Sequence, residues 1–117
     1  MIEFTADAHP EDPSIRVVTI SGKLDNESSE HFFLRIEEEI TQGHKQLILD
    51  CSNLDYISSM GLGSLMRTHS RLKQHMGDVK IAAMQPFVAE TFRAVGFEKI
   101  LELHDSVSDA QASFTSA

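Results

Sequence analysis

Residues 47–67 read LILDCSNLDYISSMGLGSLMR, and this stretch decides the fold. It begins with a continuous apolar run at residues 47–49, which is typical of a central strand covered on both faces. A short polar segment follows residue 50, and a serine pair then precedes a helix predicted over residues 60–76. The order predicts a buried strand, a loop and a helix whose N-terminus carries the serines, which is where α/β proteins present reactive groups.

The chain after this stretch continues the alternation of strands and helices. Residues 79–84, VKIAAM, are the next strand, so we expect a parallel, right-handed strand–helix–strand crossover. Pro86 suits the first turn of a third helix that Gly96 ends. Residues 99–103 are predicted to be a short last strand, and Asp105 the N-cap of a terminal helix. The predicted apolar positions of the third helix are Phe87, Val88, Phe92 and Val95.

The chain before this stretch predicts a hairpin followed by a helix. Residues 2–5 read as an edge strand, residues 8–14 as a loop with two prolines, and residues 15–21, IRVVTIS, as a β-branched strand that Gly22 breaks. We expect the two strands to pair antiparallel. Residues 26–41 form the predicted first helix, which Gly43 ends.

Two sets of helical side chains have competing interpretations. Glu37, Glu38 and Glu39 are predicted to be a solvated face, because consecutive helical residues point in different directions and cannot converge on one metal ion. His69 lies in the apolar stripe of the second helix and is interpreted as a packing residue, since no second ligand has matching spacing. That stripe comprises Leu62, Leu65, Met66, His69, Leu72 and Met76.

Composition indicates an ordinary globular protein. The 117 residues predict one domain over 1–117, an α/β fold with a mixed sheet of four to five strands and about four helices. The net charge of −8 argues against nucleic acid and anionic membrane as partners. The single cysteine, Cys51, is interpreted as a packed thiol just past a strand end. With an N-terminus unlike a signal peptide, it favours a cytoplasmic protein.

The central stretch lacks the additional residues that an enzymatic site would need. Asp50 and Asp55 resemble the acids that hold Mg²⁺ at strand ends, but such sites need several converging carboxylates, so no metal is predicted. A small enzyme using Asp50, Asp55 and Ser59 stays a minor alternative. Gly61 and Gly63 do not form a phosphate-binding loop, and Ser59 lacks the glycine two positions before it that a hydrolase nucleophile elbow requires.

The serine pair itself has two compatible interpretations. Ser58 or Ser59 can cap the helix by accepting a backbone N–H, which is worth about 1 kcal/mol. A helix N-terminus also stabilises a phosphate, so phosphorylation there would add charge to a surface without unfolding the protein.

The sequence resembles the STAS-domain family of anti-sigma factor antagonists over nearly the whole chain. The matching motifs are GKLD at residues 22–25, LILD at residues 47–50, YISSMGLG at residues 56–63, and Gly-Phe at residues 96–97 followed by Ile100. The resemblance implies a STAS-like single domain without a cofactor or catalytic activity.

Carried over from the family motif, Ser59 is the phosphorylated residue. Ser58 stands where the family usually has aspartate and is the alternative acceptor, while Met60 stands where serine or threonine is frequent. The resemblance implies partner switching, in which the unphosphorylated protein binds an anti-sigma factor that is also a serine-protein kinase. A PP2C-type phosphatase reverses the modification.

The predicted partner-binding face joins the loop at Asp25, the residues before the second helix, and that helix's exposed side. Its members are Asp25, Asp55, Tyr56, Ser58, Met60, Gly61, Arg67 and Arg71. For Arg67 and Arg71, plain solvation is the competing interpretation. The competing function is a STAS scaffold or transporter-associated module that is never phosphorylated.

Overall fold

The structure, a computed structural model, describes residues 2–115, so residues 1, 116 and 117 of the predicted 1–117 domain lie outside the described part. One sheet has the strand order β1 (Ile2–Ala8), β2 (Ile15–Leu24), β3 (Gln46–Ile57), β4 (Asp78–Ala82) and β5 (Leu103–His104). The helices are α1 (Ser29–Thr41), α2 (Ser59–Gln74), α3 (Pro86–Ala94) and α4 (Val107–Thr115), with a 3-10 turn at Phe97–Lys99.

The mixed sheet confirms the predicted α/β architecture. β1 pairs antiparallel with β2, as the hairpin prediction required, and the other neighbouring strands are parallel. The strand–helix–strand unit of β3, α2 and β4 is therefore parallel, as predicted.

Alternation along the strands divides the apolar side chains between two faces. Val18, Leu47 and Leu49 belong to the main core, which includes Phe32 of α1 and Leu65 of α2. The opposite face has a smaller cluster in which α4 packs on the sheet, formed by Ile15, Ile48, Ala82 and Ala110. The main core therefore holds α1 and α2 on one side of the sheet, and α4 lies on the other.

The central strand is longer than the sequence predicted. β3 runs to Ile57, so Asp50 does not end the strand and Asp55 is not in a loop. Gly22 does not break β2 either: Gly22 pairs with Leu54 and Leu24 pairs with Ile57, with register shifts nearby. Each strand extension is stabilised by hydrogen bonds to the other, and neither could be recognised alone.

Three other boundaries differ from the predictions. β1 reaches Ala8, beyond the predicted end at residue 5, because it pairs with β2 as far as Arg16. The last strand is Leu103–His104 and not residues 99–103, since Phe97–Lys99 forms a 3-10 turn. Ser106, not Asp105, caps α4: its hydroxyl oxygen accepts the Asp109 N–H at 3.0 Å.

The burial of several side chains also corrects the predictions. Glu39 is only 1 % exposed and pairs with Arg16 at 2.8 Å and Arg35 at 3.2 Å. The prediction that it lies on a solvated face is therefore wrong. Met76 is 89 % exposed because it lies beyond the end of α2 in a left-handed conformation, with φ of 63°. Phe87 and Val95 are likewise exposed, since the core side of α3 is formed by Val88, Ala89 and Phe92.

Two other side chains, those of His69 and Cys51, are packing residues. His69 is half-buried, as predicted. Cys51 is a buried thiol inside β3 and not past its end; burial, with a smaller effect of the Asp50 charge, raises its pKa to about 12. A thiol with that pKa is almost entirely protonated at neutral pH and is a poor nucleophile.

Candidate functional site

The junction between β3 and α2 is a single residue, Ser58, which caps the helix. Its backbone is extended, and its hydroxyl oxygen accepts the Gly61 N–H at 3.1 Å. The same hydroxyl donates to Oδ1 of Asn26 at 3.1 Å, while the Ser58 N–H donates to the Leu24 carbonyl at 2.9 Å. The Ser58 side chain is therefore engaged on both sides in holding α2 against the end of β2.

Ser59 is the first residue of α2, and its side chain is exposed. Within residues 2–115, its hydroxyl forms no hydrogen bond with the protein. It lies at a helix N-terminus, where unpaired N–H groups and the helix dipole favour negative charge. Of the two serines, Ser59 is thus the one whose hydroxyl is free to react.

An acidic turn precedes α1, which begins at Ser29 and not at residue 26 as predicted. Oδ1 of Asp25 accepts the N–H groups of Glu27 and Ser28, each at 3.1 Å, and the Ser28 hydroxyl at 3.1 Å. The hydrogen bond from the Ser28 backbone is the main cause that lowers the pKa of Asp25. This carboxylate therefore stays ionised at neutral pH beside the start of α2.

The turn and the helix start enclose a shallow depression of about 540 Å³. Tyr56 and Met60 are about half exposed at its rim, at 48 % and 55 %. Among the described residues the lining contains two acidic and no basic side chains, and its members are Asp25, Asn26, Glu27, Tyr56, Ser58, Ser59 and Met60. We call this surface the Ser59 depression.

The structure brings together five of the residues that the sequence singled out: Asp25, Tyr56, Ser58, Ser59 and Met60. It adds Asn26 and Glu27, which sequence reasoning placed in the first turn of a helix. The sequence signal that could have placed both residues in a loop is the tendency of an aspartate such as Asp25 to form an Asx turn.

Gly61 lies beneath the depression and is buried. A Cβ atom there would lie 2.3 Å from the Leu24 carbonyl oxygen and 2.9 Å from Cγ1 of Ile57. Gly61 therefore allows α2 to approach the end of β2 closely, and it presents no side chain to a partner.

Asp50 and Asp55 do not join Ser59 in a common site. The exposed Asp55 accepts a weak hydrogen bond from the Gln85 amide at 3.4 Å, next to the start of α3. Asp50 instead lines a separate depression with Asp7 and Val107 of α4. Among residues 2–115, no group of three or more metal-ligating side chains is placed to hold an ion. The minor enzyme hypothesis therefore has no assembled site in this part of the chain.

Arg67 and Arg71 lie over a second depression, of about 490 Å³, between α1 and α2. The Arg67 guanidinium lies 3.9 Å from the Phe33 ring centroid and 3.5 Å from Glu30. Arg71 donates two hydrogen bonds to Glu37, at 2.6 and 3.1 Å, which lower the pKa of Glu37 and raise that of Arg71. Both arginines of α2 thus contact side chains of α1, so they are not simply solvated.

No helix in the described residues has the length and apolar character needed to cross a membrane.

The family model of the STAS domain matches residues 8–110. The chain belongs to the STAS domain family. This match confirms the resemblance that was based on the motifs at residues 22–25, 47–50 and 56–63.

Individual relatives agree with this STAS assignment. BtrV of Bordetella bronchiseptica, a candidate anti-sigma factor antagonist, is 28 % identical over 101 residues, covering 86 % of this chain and 87 % of BtrV. An anti-sigma factor antagonist from Mycobacterium paratuberculosis shares the fold with a TM-score of 0.87 at 22 % identity, over 99 % of this chain and 96 % of that one. The phosphorylated form of Bacillus SpoIIAA superposes with a TM-score of 0.70 at 18 % identity, over 96 % and 99 % of the two chains.

The different roles of the two serines in this STAS domain predict different effects on stability. Ser58→Ala removes the helix cap and should lower the free energy of unfolding by about 1 kcal/mol. Ser59→Ala removes an exposed hydroxyl that has no partner among residues 2–115, and it should change the free energy of unfolding by less than about 0.5 kcal/mol. Urea unfolding followed by circular dichroism measures both variants. A larger loss for Ser59→Ala would contradict the assignment of Ser58 as the cap.

Proposed function

We propose that this STAS domain is an anti-sigma factor antagonist whose partner binding is switched off by phosphorylation of Ser59. In the unphosphorylated state it binds an anti-sigma factor that is also a serine-protein kinase, and this frees a sigma factor or another effector. The observation that carries the proposal is the free, exposed hydroxyl of Ser59 at the start of α2, beside the fully engaged hydroxyl of Ser58.

The relatives support the general role. The M. paratuberculosis protein is an anti-sigma factor antagonist, BtrV is a candidate for that role, and SpoIIAA occurs in a phosphorylated form. This chain contributes only the hydroxyl group that accepts the phosphoryl group. The kinase transfers the γ-phosphoryl group of ATP to Oγ of Ser59, a kinase base takes the hydroxyl proton, and ADP leaves. A PP2C-type phosphatase then hydrolyses the phosphoester and releases inorganic phosphate.

The surroundings of Ser59 explain how a phosphate could switch binding and leave the fold unchanged. A phosphoserine carries about −1.5 to −2 charges at pH 7 and is tolerated at a helix N-terminus. Asp25 and Glu27 line the same depression, whose lining contains no arginine or lysine that could draw the phosphate back onto the protein. The added charge therefore faces the partner.

The proposed partner surface keeps the residues predicted from the sequence except Gly61, which is buried beneath it. The Ser59 depression supplies its centre, the exposed Asp55 extends it, and Arg67 and Arg71 border it along α2. Use of ATP by the kinase fits the cytoplasmic location expected from the sequence. The domain itself acts as substrate and binder, without catalysis or cofactor.

Phosphorylation by the cognate kinase tests the proposal. Incubation of the wild-type chain with kinase and ATP should add one phosphoryl group, which peptide mass spectrometry should locate on Ser59. Ser58→Ala should still accept one group, whereas Ser59→Ala should accept none. Transfer to Ser58 would contradict the assignment of the acceptor, and no transfer by any serine kinase of the same genome would favour the unphosphorylated scaffold.

A further inference from the structure

Gly63 lies in the second turn of α2, and nothing among the described residues requires glycine there. A Cβ atom at this position would meet no atom within 4 Å outside its own stretch of helix. Its φ is not positive either, so the backbone does not require glycine. Glycine is nevertheless among the least favourable residues in a helix interior, and the contrast with the crowded Gly61 is sharp.

The position of Gly63 relates it to the phosphorylation site. Residues four apart on a helix are neighbours on one face, roughly 6 Å apart, so Ser59, Gly63 and Arg67 form a line along α2. The Arg67 side chain does not cover Gly63, because its guanidinium lies over Phe33 and near Glu30 of α1. Gly63 is half-buried, and the position that a Cβ would take there stays uncovered by the described residues.

We propose that Gly63 is a contact point at which a backbone segment of the kinase that phosphorylates Ser59 packs directly on α2. This inference rests on the proposed function. A kinase must bring its catalytic groups within hydrogen-bonding distance of the Ser59 hydroxyl, so its body covers residues one helical turn away. The missing side chain at position 63 permits the close approach that such a segment needs.

Substitutions at Gly63 test the contact, because binding and stability should change in opposite directions. Gly63→Ala should raise the melting temperature, yet weaken kinase binding about tenfold, since one added methyl group overpacks a close contact. Gly63→Gln, with a longer side chain of good helix propensity, should weaken binding at least about 100-fold. Isothermal titration with purified kinase and ADP measures affinity, and calorimetric melting measures stability.

Thr91→Ala is the matched control for helix stabilisation, because Thr91 is exposed on α3 outside both depressions of the proposed partner surface, and alanine there adds helix propensity without adding bulk. It should raise the melting temperature and leave the affinity within about twofold of wild type. Equal weakening by Thr91→Ala, or wild-type affinity of Gly63→Gln, would overturn the inference. If the wild-type chain neither binds nor accepts phosphate from a kinase, the proposed function fails first; if it does both and Gly63→Gln does the same, only the role of Gly63 fails.

Discussion

Ser59→Asp is expected to weaken binding to the anti-sigma factor kinase at least about 100-fold, because a carboxylate buried in the contact without a counter-ion loses its hydration. The new carboxylate would join Asp25 and Glu27 around a depression that has no basic side chain in its lining. A partner surface shaped around the neutral Ser59 hydroxyl supplies no cation at that point, so the added carboxylate would be desolvated without compensation. Ser59→Ala keeps the surface neutral at that point, so it should bind like unphosphorylated wild type and resist inactivation by ATP.

Isothermal titration in the presence of ADP compares the affinities of these variants. Ser108→Asp is the matched control: Ser108 is exposed on α4, which packs on the opposite face of the sheet, and the substitution adds the same charge. Its affinity should stay within about twofold of wild type. The switch would be refuted if Ser59→Asp bound like wild type, or if Ser108→Asp lost as much affinity. Unchanged circular dichroism spectra should accompany each variant.

Gly61→Ala should destabilise the fold by about 3 kcal/mol, the upper part of the range for overpacking. The added Cβ would lie 2.3 Å from the Leu24 carbonyl oxygen, so α2 and the end of β2 must move apart. The movement also stretches the bond from the Ser58 N–H to that carbonyl, now 2.9 Å. The shortest contact is with a backbone carbonyl, so the movement of a side chain cannot relieve it.

Gly63→Ala provides the matched comparison for this effect. The same substitution two residues further along the same helix meets open space, and should stabilise the fold by up to about 1 kcal/mol. Urea unfolding of both variants gives the two free energies. If both substitutions raised the free energy of unfolding, helix propensity and not the contact with Leu24 would dominate at position 61.

Local sequence patterns were sufficient for the elements that carry their own signal. The β-branched run of β2, the apolar run of β3 and the apolar spacing of α2 depend on neighbouring residues only, and each predicted element is present. The ends of β2 and β3 were predicted too short. Their last residues pair with each other across a separation of more than 30 positions, so the stabilising hydrogen bonds are absent from any local window.

Burial of charge was unpredictable for the same reason. Glu39 looks like its two acidic neighbours in sequence, yet it is buried and paired with Arg16 of β2 and Arg35 of α1. Arg71 likewise finds Glu37 34 positions away. The pairs of Glu39 with Arg16 and of Glu37 with Arg71 depend on how α1 is placed against the sheet and against α2, which no spacing along the chain encodes.

The sequence by itself determined the family, the order of strands and helices, and the serine pair at the start of α2, because motifs and hydrophobic periodicity are local properties. Only the tertiary structure decided which serine is free. Asn26 and Gly61 engage the Ser58 hydroxyl, whereas the Ser59 hydroxyl has no partner in the described chain. It also decided that Asp25 and Glu27 lie around that hydroxyl and that Asp50 does not. The physical reason is that the pairing of β2 with β3 brings residues 25–27 to the start of α2, and this juxtaposition exists only once the sheet has formed.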